Sequence, residues 1–351
     1  MIKIPRKKLL IGLLAFVLLL FIAGGVFGYW FWSSVFKNNV NPDKGEVAYL
    51  FIPTGSDFED LKTNIIKSNL LKNTNSFFWV AKRKNLASHV KPGRYEIKAG
   101  MSNNEIVNLL RSGKQKPLNV VFNNIRTSGQ LAGNIAQQIE ADSVSIIELL
   151  KDKTFLEQHN LNTETARIIF IPNTYQFYWN TDAKQFFNRM LNEYQKFWTE
   201  LRKQKAKSLG MSIAEVSILA SIVDKETNQN NEKPRIAGVY INRLHDNWKL
   251  QADPTVVYAV GNFEMKRVLN VHLETDSPYN TYKYAGLPPG PICLPTIAGI
   301  DAVLNAEKHG YYYFAARPDG SGYHNFAKTY NQHLNFARQF HKYLNDRKIK
   351  N

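Results

Sequence analysis

The run LLIGLLAFVLLLFIAGGVFG, Leu9 to Gly28, constrains this chain more than any other stretch, because it contains no charged side chain. A helix of that length, at about 1.5 Å per residue, covers about 30 Å, the hydrocarbon thickness of a bilayer. Lys3, Arg6, Lys7 and Lys8 precede it, which places the N-terminus in the cytoplasm by the positive-inside rule. Tyr29, Trp30 and Trp32 follow as an aromatic belt. The rival reading is a cleaved signal peptide, whose apolar region would be shorter and would end in a small-x-small site. No clear site of that kind follows, and no cysteine is present there for lipoprotein processing. We therefore expect an uncleaved, single-pass anchor in the cell membrane, with the rest of the chain outside the cytoplasm.

The net charge of +16 favours polyanions: nucleic acid, anionic lipid or anionic wall polymer. An extracytoplasmic location removes nucleic acid as a partner and leaves the membrane and the wall. The single cysteine, Cys293, rules out an intrachain disulfide framework and a cysteine-based metal cluster. Neither a Gly-rich phosphate loop nor an HExxH pattern occurs, so no cofactor is expected.

After the anchor, SSVFKNNVNPDKG reads as a polar linker. VAYLFI then reads as a strand, with Ser56 to Glu59 (SDFE) as a capping box opening a helix through Leu71. FFWVAKRKNL is a second helix and GRYEIKAG a strand, and Ser102 to Glu105 (SNNE) caps a third helix. The order recurs in LNVVF, SGQLAGNIAQQI, VSIIELLKD, PNTYQFYW and FFNRMLNEYQKFW. The Pro-x-x-Tyr of PGRY and PNTY is shared, so this is either a duplication of a small α+β unit or chance likeness. From Ser212 onward two helices lead into a loop-rich region with SPYNTY and GLPPGP. A helix at 296–306, a strand at YYYFAA, a return at HNF and a basic C-terminal helix follow.

SILASIVDKETNQ, 217–229, carries the most pointed chemistry. Ser212 and Glu215 form a capping box that fixes the helix start. Leu219, Ile222, Val223 and Glu226 then share one face, while Ser217, Ala220, Ser221 and Asp224 share a smaller, more polar one. Glu226 continues the apolar stripe. Desolvation raises a carboxyl pKa, and a glutamic acid still protonated near neutrality is what general-acid catalysis at a glycosidic oxygen requires. A buried ion pair to an arginine such as Arg243 is the competing explanation.

The stretch ASIVDKETNQNNEKPRIAGVYINRLHDNWKLQADPTVVYAVG, followed in order by DSPYNTYKYAGLPPGPI, YYYFAA, HNF and NQH, closely resembles the YceG-like endolytic murein transglycosylases. The resemblance implies an α+β protein: cytoplasmic N-terminus 1–8, transmembrane helix 9–30, linker 31–45 and a LysM-like module at 46–116. It further implies a second small α+β unit at 117–200, contiguous with a catalytic core at 201–351. It implies a lyase that cuts nascent peptidoglycan between N-acetylmuramic acid and N-acetylglucosamine, leaves a 1,6-anhydro end, and works beside peptidoglycan synthases. The family's catalytic acid, the Glu of Lys-Glu-Thr, maps onto Glu226. Two departures stand out: the family commonly has Glu where this chain has Asp224, and Asn-Pro-Gly after GPI where this chain has CLPTI. A muramidase that hydrolyses the same bond, or a non-catalytic wall-binding scaffold, remain the alternatives.

Gln251 and Asp253 could bind sugar hydroxyls or an acetamido group, although Asp-Pro-Thr is also good turn chemistry. Ser277, Tyr279, Asn280, Thr281 and Tyr282 gather hydroxyls, an amide and aromatic faces, a mixture that suits sugars or merely a Pro-anchored loop. Gly286, Pro288, Pro289 and Gly290 are expected to shape a rigid loop. His324 and His333 lack metal-ligand spacing. His324 is instead expected to hydrogen-bond beside the cleft, or to be packed. The basic C-terminal helix ARQFHKYLNDRKIK reads as a solvated face that could meet anionic polymer.

Overall fold

A computed structural model describes residues 6–265 and 267–347, an α+β protein whose chain divides into two compact units. Lys3 and Lys348 to Lys350, which bear on the anchor and the basic helix, lie outside the described residues.

The first unit holds residues up to Leu118 and the short segment Gln176–Asn180. It opens with α1 (Arg6–Phe36), which is long and apolar enough to cross a membrane, and whose large apolar side chains from Leu9 to Trp32 are exposed. Contiguous exposed apolar surface of this extent marks a lipid or protein contact. The helix runs past the expected end of the anchor. Beyond it, the expected linker is not free: Val35 and Val40 are buried in the unit's core, and Asn38 and Val40 bridge to Ser102 and Leu71.

The body of this unit runs β1 (Val47–Ile52), α2 (Phe58–Ser68), α3 (Thr74–Arg83), β2 (Gly93–Lys98) and α4 (Asn103–Ser112). β1 and β2 pair antiparallel from Val47 opposite Lys98 to Ile52 opposite Gly93. The period-2 pleat turns Leu50, Ile52, Tyr95 and Ile97 inward onto Leu61, Ile65, Phe77 and Leu110 of the helices. The capping box at Ser102 and Glu105 forms as expected. The one expected at Ser56 and Glu59 does not. Asp57 caps instead, with Asp60 closing the box, and α2 stops at left-handed Asn69 rather than continuing to Leu71.

β3 (Leu118–Val121) leads into the second unit, residues 119–175 and the chain from Thr181. Along the chain follow α5 (Ser128–Ala136), α6 (Ser143–Lys151), α7 (Lys153–Glu157), β4 (Thr174–Phe177), whose last two residues count with the first unit, and α8 (Ala183–Phe197). The order of strand, two helices, strand and helix repeats, with α7 added. A finer detail repeats with it. In both Pro-x-x-Tyr segments the tyrosine hydroxyl donates to the carbonyl just before the proline, Tyr95 to Lys91 at 2.9 Å and Tyr175 to Ile171 at 2.7 Å. Burial pushes both phenols up to about 12. A chance likeness of two strand-helix stretches does not call for this shared closure, which favours duplication.

The rest of the unit comprises α9 (Glu200–Ser208), α10 (Ile213–Glu226), α11 (Lys233–His245), α12 (Asp253–Val260), α13 (Asn270–Leu273) and α14 (Ile297–Leu304). The hairpin β5 (Tyr313–Ala316) and β6 (His324–Ala327) and finally α15 (Tyr330–Asp346) complete it. α10 starts at the Ser212 and Glu215 box and is the central helix: every residue from Val216 to Val223 is buried. The two faces inferred from periodicity are therefore both interior. Asp-Pro-Thr is not a turn but the first turn of α12, where proline is tolerated.

Candidate active site

α10 ends at Glu226, with Thr227 already extended, so the carboxyl emerges where the helix leaves the core. α11 packs beside it. Ile236, Tyr240 and Arg243, at i, i+4 and i+7, form the buried face of α11, which brings the Tyr240 hydroxyl to Glu226. That hydroxyl donates to Glu226 Oε1 at 2.5 Å. Protein encloses Glu226 on most sides while part of its surface stays open to a cleft. Burial raises its pKa to about 7 against the opposing Tyr240 hydrogen bond; the Asp253 carboxylate adds to the rise and the Arg243 guanidinium reduces it. Burial and the Glu226 carboxyl together hold the Tyr240 phenol far above the usual tyrosine range.

Asp224, two residues earlier, is also interior, which the polar-face reading missed. Its carboxylate meets Lys233 Nζ at 2.7 Å, with both side chains less than a tenth exposed, and accepts from Thr296 N at 2.7 Å and Oγ1 at 2.9 Å. Burial is common to the two acids; a matching cation is given only to Asp224. The expected competitor for Glu226, an ion pair with Arg243, is absent among the described residues. Arg243 instead donates to the carbonyls of Tyr312 at 2.7 Å and Leu250 at 2.5 Å. The two departures from the family pattern also meet here, since Thr296 lies in CLPTI and caps α14 while holding Asp224.

Two cavities of about 670 and 420 Å³ share Glu226 and Asp253 in their walls. The larger is basic and apolar, with Arg126, Lys225, Arg267 and His341 beside Phe263 and Phe340. The smaller is aromatic, with Tyr240, Tyr282, Tyr313, Phe314 and Tyr330, and with Arg243, Gln251 and His333. α15 supplies residues to both, so it is more than the solvated face read from its charge. Gln251 takes a left-handed φ of 48° at the rim, and Tyr282 Oη donates to Asp253 Oδ1 at 2.6 Å.

The structure thus brings Glu226, Gln251, Asp253 and Tyr282 together and leaves the other expected sugar ligands elsewhere. Asn280 is fully buried, donating to the carbonyls of Leu273 and Thr275 at 2.8 Å each; Thr281 is buried against Thr255 and Ala252 N–H. Ser277 accepts from Tyr279 N–H, and the Tyr279 ring lies against Tyr258. These four residues do not line the cleft; they hold its loop in shape. Gly290 helps, since a Cβ there would come within 2.3 Å of the Glu164 carbonyl, and Gly286 takes a φ of 84°. His324 does not line either cavity and takes the packed, hydrogen-bonded alternative. It pairs through Nδ1 with buried Glu232 at 2.8 Å, fixing the hairpin to the start of α11. Among the described residues no three His, Cys, Asp or Glu side chains gather as a metal site.

Sequence reasoning missed Tyr240, Tyr313, Phe314, Tyr330 and the cleft position of His333. For Tyr240 a signal existed: the helical spacing that singles out Glu226 also aligns Tyr240 and Arg243 with Ile236. The others come from the hairpin and α15, where no local spacing links them to Glu226.

The raised Glu226 pKa has a stability consequence. The proton is held more tightly in the folded chain, so its contribution is complete below pH 4.5 and is lost as pH rises through about 7. Glu226→Gln removes that loss. In thermal melts the variant is expected to match wild type near about pH 4 and to exceed it near about pH 8, by about 1–3 kcal/mol, cleft water holding the gain below the upper end.

Residues 50–339 match the YceG-like family. The chain is 30% identical to the endolytic murein transglycosylase of Bacillus subtilis strain 168 over 94% of its own length and 93% of the relative's. It is 29% identical to the enzyme of that name from Streptococcus pneumoniae R6, over 88% of this chain, and spans 61% of that longer relative. Among solved structures it is similar to a YceG-like protein from Listeria monocytogenes. The TM-score is 0.55 at 30% identity, covering 83% of this chain and 99% of that one.

Proposed function

The chain belongs to the YceG-like family, and from that footing we propose that it is a membrane-anchored peptidoglycan lyase that cuts nascent glycan strands internally. The observation that carries the reading is Glu226: a carboxyl pushed up to about 7, seated where two cavities meet, with room for sugar on either side. α1 supports the anchor by length and composition, and the cytoplasmic placement of its N-terminus follows from the basic residues before it. The β1-α2-α3-β2 unit is proposed as a LysM-like glycan holder, and the anchor would keep the cut close to the synthases that extend the strand.

Protonated Glu226 donates to the glycosidic oxygen between N-acetylmuramic acid and N-acetylglucosamine, and the C1–O bond breaks. The substrate's N-acetyl carbonyl supports the positive charge on C1. Glu226, now a carboxylate steadied by the Tyr240 hydroxyl, takes the proton of the sugar's C6 hydroxyl. That oxygen closes on C1, giving the 1,6-anhydro ring, and Glu226 regains its proton with no water consumed. Gln251, Asp253 and Tyr282 are proposed to orient the sugar in the aromatic cavity, and the cations of the other cavity suit the carboxylates of the wall's peptides.

Asp253 favours one second reading, since a carboxylate beside the acid is what water-consuming glycosidases use. Mass spectrometry of the digested glycan separates the two. The lyase gives ends lighter by one water than a hydrolase does, and fully hydrated ends would rule out the transglycosylase.

A further inference from the structure

A third recess lies far along the sequence from Glu226, in the first unit, between the last turns of α1 and the start of α3. It measures about 520 Å³, and Trp30 and Trp79 form its aromatic side with ring centroids 5.1 Å apart. Its polar base is cross-linked by hydrogen bonds. Asn39 Nδ2 donates to Asn103 Oδ1 at 2.7 Å, Asn103 Nδ2 donates to the Ser34 carbonyl at 2.8 Å, and both asparagines are buried. Lys37 and Lys72 complete the lining, which contains no Asp or Glu. Among the described residues neither lysine has an acidic partner within ion-pair distance. Asn38, exposed at the edge of the recess, spends its side-chain oxygen on Val40 N–H at 2.9 Å, and among the described residues its amide N–H groups meet no acceptor. The recess therefore offers two exposed cations and an amide donor with no carboxylate in its lining, which is the chemistry of an oxyanion site.

Its position selects the anion. The lining begins at Tyr29, the residue directly after the charge-free run that ends at Gly28. With α1 across a bilayer, that point falls at headgroup level, where indole rings settle and anionic lipids attract lysine. We propose that this recess binds the phosphate of an anionic phospholipid headgroup, seating the first unit on the membrane surface; the inference rests on α1 being a membrane anchor.

The test uses the full chain in phosphatidylcholine vesicles that contain a minority of phosphatidylglycerol, with bromine carried by one lipid at a time and tryptophan quenching as readout. Brominated phosphatidylglycerol, mole for mole, should quench about twofold or more as strongly as brominated phosphatidylcholine, and Lys37→Gln/Lys72→Gln should bring that ratio close to one. Equal quenching by both lipids in wild type would overturn the headgroup site while leaving the anchor in place. A ratio unchanged in the double variant would assign the preference to the chain's general positive charge and overturn it likewise. Loss of the preference to inorganic phosphate at matched ionic strength would make the ligand free phosphate instead. No quenching by either lipid would remove the anchor itself, and the proposal with it.

Discussion

Glu226→Gln is expected to abolish strand cleavage while leaving the fold and glycan affinity intact. Proton transfer by a placed acid is worth about 10²–10⁴ in rate, and here one carboxyl is assigned both the donation and the later abstraction, so a loss of at least about 10³ is expected. Gln keeps an oxygen for the Tyr240 hydroxyl and nearly the same volume, so the cleft need not rearrange. Digestion of uncrosslinked glycan, followed by chromatography of the products, measures the loss; a pull-down on the same strands measures affinity. If cleavage survives at about a tenth of wild type, the acid is another residue, and Asp253 is the next to replace. If affinity falls along with cleavage, Glu226 acts in binding. A scaffold without catalysis would instead keep its cellular function in the variant.

Lys233→Met is expected to cost more stability than any surface substitution in the second unit, about 3–5 kcal/mol. The reason is the charge left behind. Asp224 and Lys233 are each at most 7% exposed, and the pair ties α10 to α11 just before Glu226 and Tyr240. Removing the ammonium leaves a carboxylate in the interior with only the two Thr296 donors. Removing both charges costs far less, because a buried pair returns little beyond its own desolvation. Chemical denaturation of Lys233→Met, Asp224→Asn and the double variant tests this. The double variant should recover most of the loss, and a single-variant cost under about 1 kcal/mol would show the pair to be solvated.

Much of this architecture is legible in local sequence, and the failures have physical causes. The apolar run before Tyr29, the boxes at Ser102 and Ser212 and the Pro-x-x-Tyr likeness are all short-range signals, and each has its structural counterpart. The Ser56 box fails because Asp57 and Asp60 offer the same spacing one residue later, and a carboxylate is an equally good cap. Asn280 and Thr281 look like sugar ligands because amides and hydroxyls suit sugars. The same groups also satisfy buried backbone in a loop-rich region, and the structure puts them to that use. Periodicity found Glu226, yet it could not tell that α10 is buried on every face, nor that Lys233 arrives to neutralise Asp224. The cleft's aromatic wall is tertiary: Tyr313 and Tyr330 join the cavity that Glu226 lines only through the packing of the hairpin and α15.

The proposed chemistry requires the carboxyl of Glu226 to be still protonated close to neutral pH. Carbon-13 NMR of glutamate-labelled protein, with Glu226→Gln to assign the signal, reads its titration directly in the folded chain. A midpoint of about 7 is expected, moving higher in Tyr240→Phe, where the hydrogen bond that favours the carboxylate is gone. A midpoint at the ordinary 4.5 would contradict the proposed chemistry.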